Sequence, residues 1–306
     1  MKAALIQSFG SPDVISIGEM TVRDPQPDEV VVRVEAAGIN PLDVKIVAGY
    51  LQQIFPVDFP YAPGTDFSGV VDVVGAQVTH LQPGDRVFGR SMPNAGGAFA
   101  QSIVIAAADL CVIPATMSFE QAASVPTAFG TARQALFDIG HLRHGQRVLI
   151  HAAAGGVGSM AVQQARLAGA YVIGTASGAN VDMVKDLGAD EVIDYRTQDF
   201  SKLSGIDLVL DSLGGETLEK SWSVLRAGGR VASLVEFDIA GRNGMIGESV
   251  FFASATPYLP EAVRQFQEGQ LQIVTDSVFP LEETRAALEK VATGHARGKV
   301  SIRTRN

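Results

Sequence analysis

A glycine-rich turn between an apolar strand and an apolar helix constrains the fold of this chain more than any other feature. The run Val148-Leu149-Ile150-His151 is typical of a strand, and it passes directly into Ala152-x-x-Gly155-x-x-Gly158. A helical stretch follows from residue 156, and a second apolar run covers residues 171–176. Small residues let the backbone turn tightly and approach a pyrophosphate, while the helix N-terminus offers free N–H groups and a positive dipole end. The segment therefore predicts a dinucleotide-binding βαβ unit.

The end of the second strand bears on which dinucleotide binds. Sites specific for NAD usually carry Asp or Glu about 20 residues after the glycine turn, where the acid binds the ribose hydroxyls. No acid stands in residues 173–178. The hydroxyls of Thr175 and Ser177 suit a 2′-phosphate instead, and Tyr195 and Arg196 close a third strand that can reach the same phosphate. NADPH is the cofactor that this pattern predicts, although Ser177 and Arg196 as ordinary strand-end residues remain the alternative.

A change in sequence pattern near residues 115–119 divides the chain into two predicted domains. Residues 1 to about 115 contain short valine-rich runs separated by Pro and Gly turns, which are typical of a mostly antiparallel β domain. From about residue 119 helices alternate with apolar strands, which predicts right-handed βαβ units and a doubly wound parallel sheet. We expect the last strand, 299–303, to return to the first domain. The predicted domains are thus residues 1–118 with 270–306, and residues 119–269.

Composition and charge narrow the possible partners. The net charge of -9 argues against nucleic-acid binding and against docking on anionic membranes. No apolar run is long enough for a transmembrane helix, and the first apolar run is too short for a signal peptide. The single cysteine, Cys111, excludes a disulfide framework and a cysteine-rich zinc lobe. The expectation is a cytoplasmic protein that binds small molecules.

The histidines do not predict a metal site. His141 and His144 form a His-x-x-His pair, but it connects a predicted helix to a strand without a third ligand nearby in sequence. His80, His151 and His295 are scattered along the chain. We therefore expect no bound metal.

Short motifs follow one another along nearly the whole chain. They are AGINPLD at 37–43, PGTDFSG at 63–69, PGDRV at 83–87, GGAFA at 96–100, VPTAFGTA at 125–132, LGAD at 187–190 and HARGKV at 295–300. Together with the glycine turn, they resemble the medium-chain dehydrogenase/reductase superfamily, in the zinc-independent quinone oxidoreductase branch related to zeta-crystallin. The resemblance implies an α/β protein with a GroES-like β domain and a Rossmann domain. It also implies a homodimer formed through the edge of the nucleotide-domain sheet, near 250–254.

The resemblance implies chemistry without a metal. Zinc-dependent members carry a catalytic Cys where this chain has Asn40, their His ligand is matched by Thr65, and their proton-relay Ser or Thr corresponds to Leu42. Losing these groups removes the Lewis acid that polarises a simple carbonyl. The expected activity is therefore hydride transfer from NADPH to an activated acceptor, a quinone or an α,β-unsaturated carbonyl.

The resemblance also assigns the site residues. Asn40, Lys45 and Tyr50 are the candidate catalytic residues, with a solvated Lys45 and ordinary packing of Tyr50 as the alternatives. The positions expected to line the cofactor are Asn40, Thr127, Ala152, Gly155, Gly156, Val157, Gly158, Ser177, Asn180, Tyr195, Leu213, Gly214, Leu234, Val235, Phe251, Phe252 and Lys299. Asn40 and Thr127 are expected to flank the nicotinamide. Many relatives have Lys where Asn180 stands, so the preference for NADPH is expected to be modest.

Two other functions stay open. An enoyl-thioester reductase would need a basic surface for a phosphopantetheine carrier, which a net charge of -9 does not suggest. A protein that binds or senses NADPH without turnover belongs to another class, and fold analogy alone does not separate it from an enzyme.

Overall fold

The computed structural model describes residues 1–305, which form two compact units. Unit 1 contains residues 1–127, 254–267 and the chain from residue 273 onward, and unit 2 contains residues 128–253 and 268–272. No helix within the described residues is long and apolar enough to cross a membrane.

The N-terminal part of unit 1 is mainly antiparallel. Its strands are β1 (Lys2–Leu5), β2 (Ser16–Glu19), β3 (Glu29–Ile39), β4 (Asp66–Val74), β5 (Arg86–Arg90), β6 (Ser102–Ala106) and β7 (Leu110–Val112), and its helices are α1 (Pro41–Val47) and α2 (Phe119–Ala123). The long strand β3 pairs with β4 and β6, and β4 pairs with β5. Val30, Val32 and Val34 alternate along β3 and point into the core, because successive side chains of a strand face opposite sides. The valine-rich runs of the sequence are thus the strands of this sheet.

Unit 2 is a parallel sheet with crossover helices. Its elements are α3 (Pro126–Arg133, which starts at the unit boundary), β8 (Arg147–Ile150), α4 (Gly156–Leu167), β9 (Tyr171–Ala176), α5 (Val181–Asp186), β10 (Glu191–Asp194), β11 (Ile206–Asp211), α6 (Gly215–Ser221), β12 (Leu225–Ser233) and β13 (Ile246–Ser249). The strand order is β10-β9-β8-β11-β12-β13, with every neighbouring pair parallel. This is the doubly wound order. Successive strands are added on one side of β8 up to β10 and then on its other side from β11, so the topological switch point lies between β8 and β11. The predicted fold class is confirmed.

The C-terminal part of the chain adds α7 (Leu259–Gln267), β14 (Thr275–Pro280), α8 (Thr284–Ala292) and β15 (Lys299–Arg303). Strand β15 pairs antiparallel with β3, from Val300 opposite Ile39 to Arg303 opposite Ala36. The last strand therefore returns to the sheet of unit 1, and it brings Lys299 to the end of β3.

The unit boundaries differ from the predicted breaks at 118/119 and 269/270. Helix α2 belongs to unit 1 because it packs on β3 and β4, and Ser68 Oγ on β4 donates to the Phe119 carbonyl at 2.7 Å. Residues 254–267 also belong to unit 1, where Thr256 Oγ1 donates to Asp109 Oδ1 at 2.9 Å. The predicted breaks followed a change of periodicity along the chain, which carries no information about such side-chain contacts.

Candidate active site

The glycine turn of unit 2 is a cradle that only small residues can form. Strand β8 enters it through His151, and Ala152 adopts a left-handed backbone with φ of +48°. A Cβ on Gly158 would overlap the Ala152 carbonyl oxygen and lie 2.8 Å from the Ala153 Cα, whereas one on Gly155 would lie 3.3 Å from the same oxygen. Gly158 therefore lets α4 approach the turn closely.

The first turn of α4 fits an anion. Gly155 is the N-cap, and the N–H groups of Gly156, Val157 and Gly158 have no intrahelical acceptor, because the carbonyls four residues back precede the helix. These groups, together with the helix dipole, form the kind of site that holds the pyrophosphate of a dinucleotide. The five predicted positions from Ala152 to Gly158 thus lie in one cradle.

The buried His151 supports this cradle through hydrogen bonds beneath the turn, on the interior side of Ala152. The Ala152 N–H donates to Thr175 Oγ1 at 3.3 Å, and His151 Nδ1 lies 3.2 Å from that oxygen. His151 Nε2 lies 2.9 Å from Ser221 Oγ, which itself donates to the Thr217 carbonyl. Nε2 therefore carries the ring proton, and Nδ1 accepts from Thr175. Burial lowers the pKa of His151 to about 4, although nearby Asp211 acts to raise it, so the ring is neutral at pH 7.

This arrangement corrects one expectation from the sequence. Thr175 is 3% exposed, and its hydroxyl serves His151 and the Ala152 N–H. The expectation that Thr175 offers a hydroxyl to a phosphate is therefore wrong. Alternation along β9 turns its side chain into the interior, and a sequence does not show which partners a hydroxyl meets there.

Three predicted residues for the adenosine end lie at the ends of β9 and β10. The Asn180 amide donates to Ser177 Oγ at 3.2 Å, which leaves the Ser177 hydroxyl proton available. The Tyr195 N–H donates to the Ala176 carbonyl at 3.2 Å, so β10 ends beside β9. Tyr195 is exposed, and the Arg196 guanidinium lies 5.9 Å from the centre of its ring.

The remaining predicted positions of unit 2 follow the carboxyl ends of β11, β12 and β13. Asp211 Oδ1 accepts from the N–H groups of Leu213 and Gly214 at 3.1 and 3.0 Å, and its Oδ2 accepts from Ser233 Oγ at 2.7 Å. Gly214 has φ of +69°, which favours glycine. Leu234, Val235, Phe251 and Phe252 come next along the chain, at the sheet edge where doubly wound folds bind ligands. The buried Asp211 and Ser233, which build these turns, were missed by the sequence reasoning.

Asn40 and Lys299 lie in unit 1, in a group of six buried residues and the half-buried Thr127 that we call the charged cluster: Asn40, Asp43, Thr65, Asp66, Arg90, Thr127 and Lys299. Lys299 Nζ donates to Asn40 Oδ1 at 2.7 Å and to the Ile39 carbonyl at 2.6 Å. Asn40 Nδ2 donates to Asp66 Oδ2 at 3.0 Å, and the Asn40 backbone N–H donates to Asp43 Oδ2 at 2.7 Å. Both ends of the Asn40 amide are thus engaged, which fixes its orientation.

Thr127 is held in the same cluster by Asp66 and Arg90. Its hydroxyl donates to Asp66 Oδ1 at 2.6 Å and accepts from Arg90 Nε at 3.1 Å, while its backbone N–H donates to Asp66 Oδ2 at 3.1 Å. Because the hydroxyl proton is used, Thr127 can meet a further group only as an acceptor.

The charged cluster contains two carboxylates and two cations with almost no exposure to water. Burial raises the pKa of Asp43 to about 7; the Asn40 N–H, Lys299 and Arg90 oppose this shift, and the like charge of Asp66 adds to it. Burial lowers the pKa of Lys299 and of Arg90, against the attraction of the two carboxylates. Deleting one of these charges would leave its partners buried without compensation.

The charged cluster stands where the resemblance places the zinc ligands. No group of three or more His, Cys, Asp or Glu within residues 1–305 is positioned to hold a metal ion. The ammonium group of Lys299 contacts Asn40 instead, and a fixed cation there opposes the binding of another.

Lys45 and Tyr50 lie apart from this network. Lys45 is half-buried on α1, and Tyr50 is 80% exposed. Among the described residues, neither side chain forms a hydrogen bond with a member of the charged cluster. The exposure of Tyr50 argues against ordinary core packing, the alternative that the sequence left open.

Two family models match the chain. One is described as the alcohol dehydrogenase GroES-like domain and covers residues 26–116, and the other is described as zinc-binding dehydrogenase and covers residues 187–302. The chain is also 34% identical to the chloroplastic quinone-oxidoreductase homolog of Spinacia oleracea, over 96% of this chain and 95% of that protein.

Solved structures with the same fold include two quinone oxidoreductases. That of Coxiella burnetii has a TM-score of 0.94 and 31% identity, and the match covers 100% of this chain and 99% of that one. The Escherichia coli quinone oxidoreductase complexed with NADPH has a TM-score of 0.87 and 26% identity, over 99% and 100%. A third structure, the CurK enoyl reductase, has a TM-score of 0.89 and 30% identity, over 99% of each chain.

Proposed function

From its membership of the medium-chain dehydrogenase/reductase superfamily, in the quinone oxidoreductase branch, the chain is an NAD(P)H oxidoreductase, and we propose a more specific activity for it. It reduces quinones or α,β-unsaturated carbonyls with NADPH and without zinc. The cradle of unit 2 is the observation that carries this proposal. Its free N–H groups and its closely packed Gly158 suit the pyrophosphate of a nicotinamide dinucleotide.

The bound cofactor would supply the hydride, and the chain's own residues bind the cofactor and orient it towards the acceptor. Gly155 to Gly158 hold the pyrophosphate, and Ser177 donates its free hydroxyl proton at the adenosine end. Asn40 and Thr127 remain the proposed contacts of the nicotinamide. Thr127 acts there as an acceptor, which suits the N–H₂ of the carboxamide.

Asn40 has a positioning role in this proposal rather than the role of proton donor. The two protons of its amide N–H₂ are directed at Asp66 Oδ2 and Thr65 Oγ1, and its oxygen accepts from Lys299. Lys45 and Tyr50 remain candidates for contact with the acceptor, and the proton that completes the reduction can come from water.

The lack of a strong electrophile argues for a conjugated acceptor. An isolated ketone needs a Lewis acid or a strong donor to stabilise the developing alkoxide. When hydride adds to a quinone or an enone, the negative charge is delocalised through the conjugated system onto the oxygen. Weaker, neutral hydrogen-bond donors therefore suffice to stabilise it. Zinc independence is supported by the ammonium group of Lys299, which contacts Asn40 at one of the positions matched to a zinc ligand.

A panel of acceptors tests the proposal. We expect NADPH oxidation with 1,4-benzoquinone and with 2-cyclohexenone, no turnover with cyclohexanone, and the same rates after dialysis against a strong chelator. Efficient reduction of cyclohexanone, or one zinc per chain together with chelator-sensitive turnover, would contradict it.

Enoyl-thioester reduction is the second candidate, because the CurK enoyl reductase shares the fold over the full length. It involves hydride addition to the same kind of conjugated bond. An enoyl thioester in the acceptor panel separates the two candidates: a kcat/KM at least tenfold above that of the best quinone or enone would favour the thioester. Binding of NADPH without turnover of any acceptor would favour a sensing protein.

A further inference from the structure

The end of β9 carries no acid, but Asp194 stands beside it at the end of the neighbouring strand β10. We propose that Asp194, at the end of β10, faces the adenosine ribose and weakens the preference for NADPH, so that NADH is accepted as well. This inference rests on the proposed function only in that a nicotinamide dinucleotide binds at the glycine turn.

The sheet register brings Asp194 to this place. Asp194 lies opposite Ala176 in the parallel pair of β10 with β9. A Cβ built on Gly178 would lie 2.9 Å from Asp194 Oδ2, so the carboxylate rests against the backbone of Gly178. Gly178 directly follows Ser177, and Asn180 stands two residues further on. The carboxylate thus lies beside the residues proposed to bind the adenosine end.

Local hydrogen bonds hold the carboxylate in this orientation. Asp194 Oδ1 accepts from the Arg196 N–H at 3.1 Å. The Asp194 carbonyl accepts from the N–H groups of Thr197 and Gln198 at 3.0 and 2.8 Å, and the Asp194 N–H donates to Gln198 Oε1 at 2.9 Å. Asp194 therefore belongs to an ordered turn in which Oδ1 is engaged and Oδ2 faces Gly178.

The charge of Asp194 acts in opposite directions on the two cofactors. A carboxylate accepts hydrogen bonds from the ribose hydroxyls of NADH, as the acid at the end of the second strand does in NAD-specific sites. The same carboxylate repels the 2′-phosphate of NADPH. Asn180 adds no positive charge to offset it, and Arg196 lies on the exposed surface over Tyr195. Asp194 and Arg196 are therefore opposing influences on one phosphate.

Binding titrations test the role of Asp194 without any acceptor. The dissociation constants of NADPH and NADH are measured by cofactor fluorescence for the wild type, for Asp194→Asn and for a control, Asp186→Asn. The asparagine keeps an acceptor for the Arg196 N–H but loses the charge. Asp186 is an exposed acid at the end of α5, so its replacement makes the same change in net charge elsewhere in unit 2.

We expect the two constants to lie within about tenfold of each other in the wild type. Asp194→Asn should shift their ratio towards NADPH by about ten- to a hundredfold, through tighter NADPH and weaker NADH binding. Asp186→Asn should leave the ratio unchanged. Asp194→Ser, which also removes the charge, should give the same shift, and thermal melts of each variant show that it is folded.

An unchanged ratio in both Asp194 variants would overturn the inference while leaving the proposed function intact. An equal shift in Asp186→Asn would overturn it as well, because the effect would then come from net charge. Failure of the wild type to bind either cofactor would overturn the proposed function together with the inference.

Discussion

At the scale of single residues, Gly158 and Gly155 offer a graded test of the cradle. A Cβ on Gly158 overlaps the Ala152 carbonyl, whereas a Cβ on Gly155 meets the same oxygen at 3.3 Å and needs only a small shift. We expect Gly158→Ala to weaken NADPH binding at least a hundredfold and to lower the free energy of unfolding by about 1–3 kcal/mol, because α4 must move away from the turn. Gly155→Ala should weaken binding less than tenfold and leave stability within about 0.5 kcal/mol.

Fluorescence titration and urea denaturation of the two variants provide this comparison. The order of the two effects matters most, because both variants add one methyl group to the same turn. Equal affinities for NADPH in Gly158→Ala and the wild type would show that the cofactor does not approach the backbone here.

The buried His151 should make the stability of the protein sensitive to acid. Its pKa is about 4 in the folded state against 6.5 for an ordinary histidine, so the unfolded chain binds more protons between these values. The neutral His151 ring makes its full contribution to the free energy of unfolding above pH 6.5, and this contribution is lost as the pH falls towards 4. The loss amounts to about 3 kcal/mol, at 1.36 kcal/mol for each pH unit.

A variant that cannot titrate isolates this effect. Urea denaturation of the wild type and of His151→Gln at pH 7, 5.5 and 4 gives the difference between their free energies of unfolding at each pH. We expect that difference to move by about 3 kcal/mol in favour of the variant between pH 7 and pH 4. Asp43 also titrates in this pH range, but its effect on the free energy of unfolding is the same in both proteins and cancels in the difference between them. A difference that does not vary with pH would contradict the buried, neutral state of His151.

At the scale of elements, the charged cluster joins the end of β3, helix α1 and strands β4, β5 and β15 around Lys299. Lys299→Met removes a buried cation from beside Asn40 and two carboxylates. We expect it to lower the free energy of unfolding by about 3–5 kcal/mol, because the remaining charges lose their compensation. Lys45→Met, at a half-buried position of α1 that lies apart from the network, should change stability by less than about 0.5 kcal/mol. Urea denaturation at pH 7 compares the two, and equal effects would contradict a stabilising role of Lys299.

The same elements show how far the sequence alone could lead. The run from Val148 to Gly158 predicted strand, turn and helix correctly because each of these depends on neighbours in sequence. The resemblance assigned Asn40, Thr127 and Lys299 to one site, but the hydrogen-bond network of the charged cluster was not predicted. Asn40, Asp66 and Lys299 come together only through the pairing of β3 with β4 and β15. Hydrophobic periodicity reports which face of a strand is buried and not which buried polar groups meet.

Thr175 and Asp194 show this limit at the proposed cofactor site. Thr175 has a suitable hydroxyl at a suitable distance along the chain, but alternation on β9 turns it towards His151. Asp194 stands 16 residues after Gly178, so a search along the chain passes it over. The parallel register of β9 and β10 then sets it against Gly178. Sequence spacing finds the acid of a dinucleotide site only where strand and acid belong to one segment.

At the scale of the whole molecule, the edge of the parallel sheet bears on the proposed homodimer. Within residues 1–305, β13 is the last strand in the sheet order and pairs only with β12. An open edge presents unpaired N–H and C=O groups to another strand. Pairing of β13 with its copy across a two-fold axis would close both edges in one symmetric interface.

Ser249 allows this pairing to be tested without disturbing the sheet of one chain. The Val250 N–H donates to the Ser233 carbonyl, so alternation turns the Ser249 N–H away from β12. Ser249→Pro removes that outward donor and should yield monomers, because proline cannot take part in the ladder between copies. Ser249→Ala keeps the donor and should remain dimeric. Light scattering after size-exclusion chromatography should give about twice 32.2 kDa for the wild type and Ser249→Ala, and about 32.2 kDa for Ser249→Pro. A monomeric wild type would refute the homodimer, and a dimeric Ser249→Pro would place its interface away from β13.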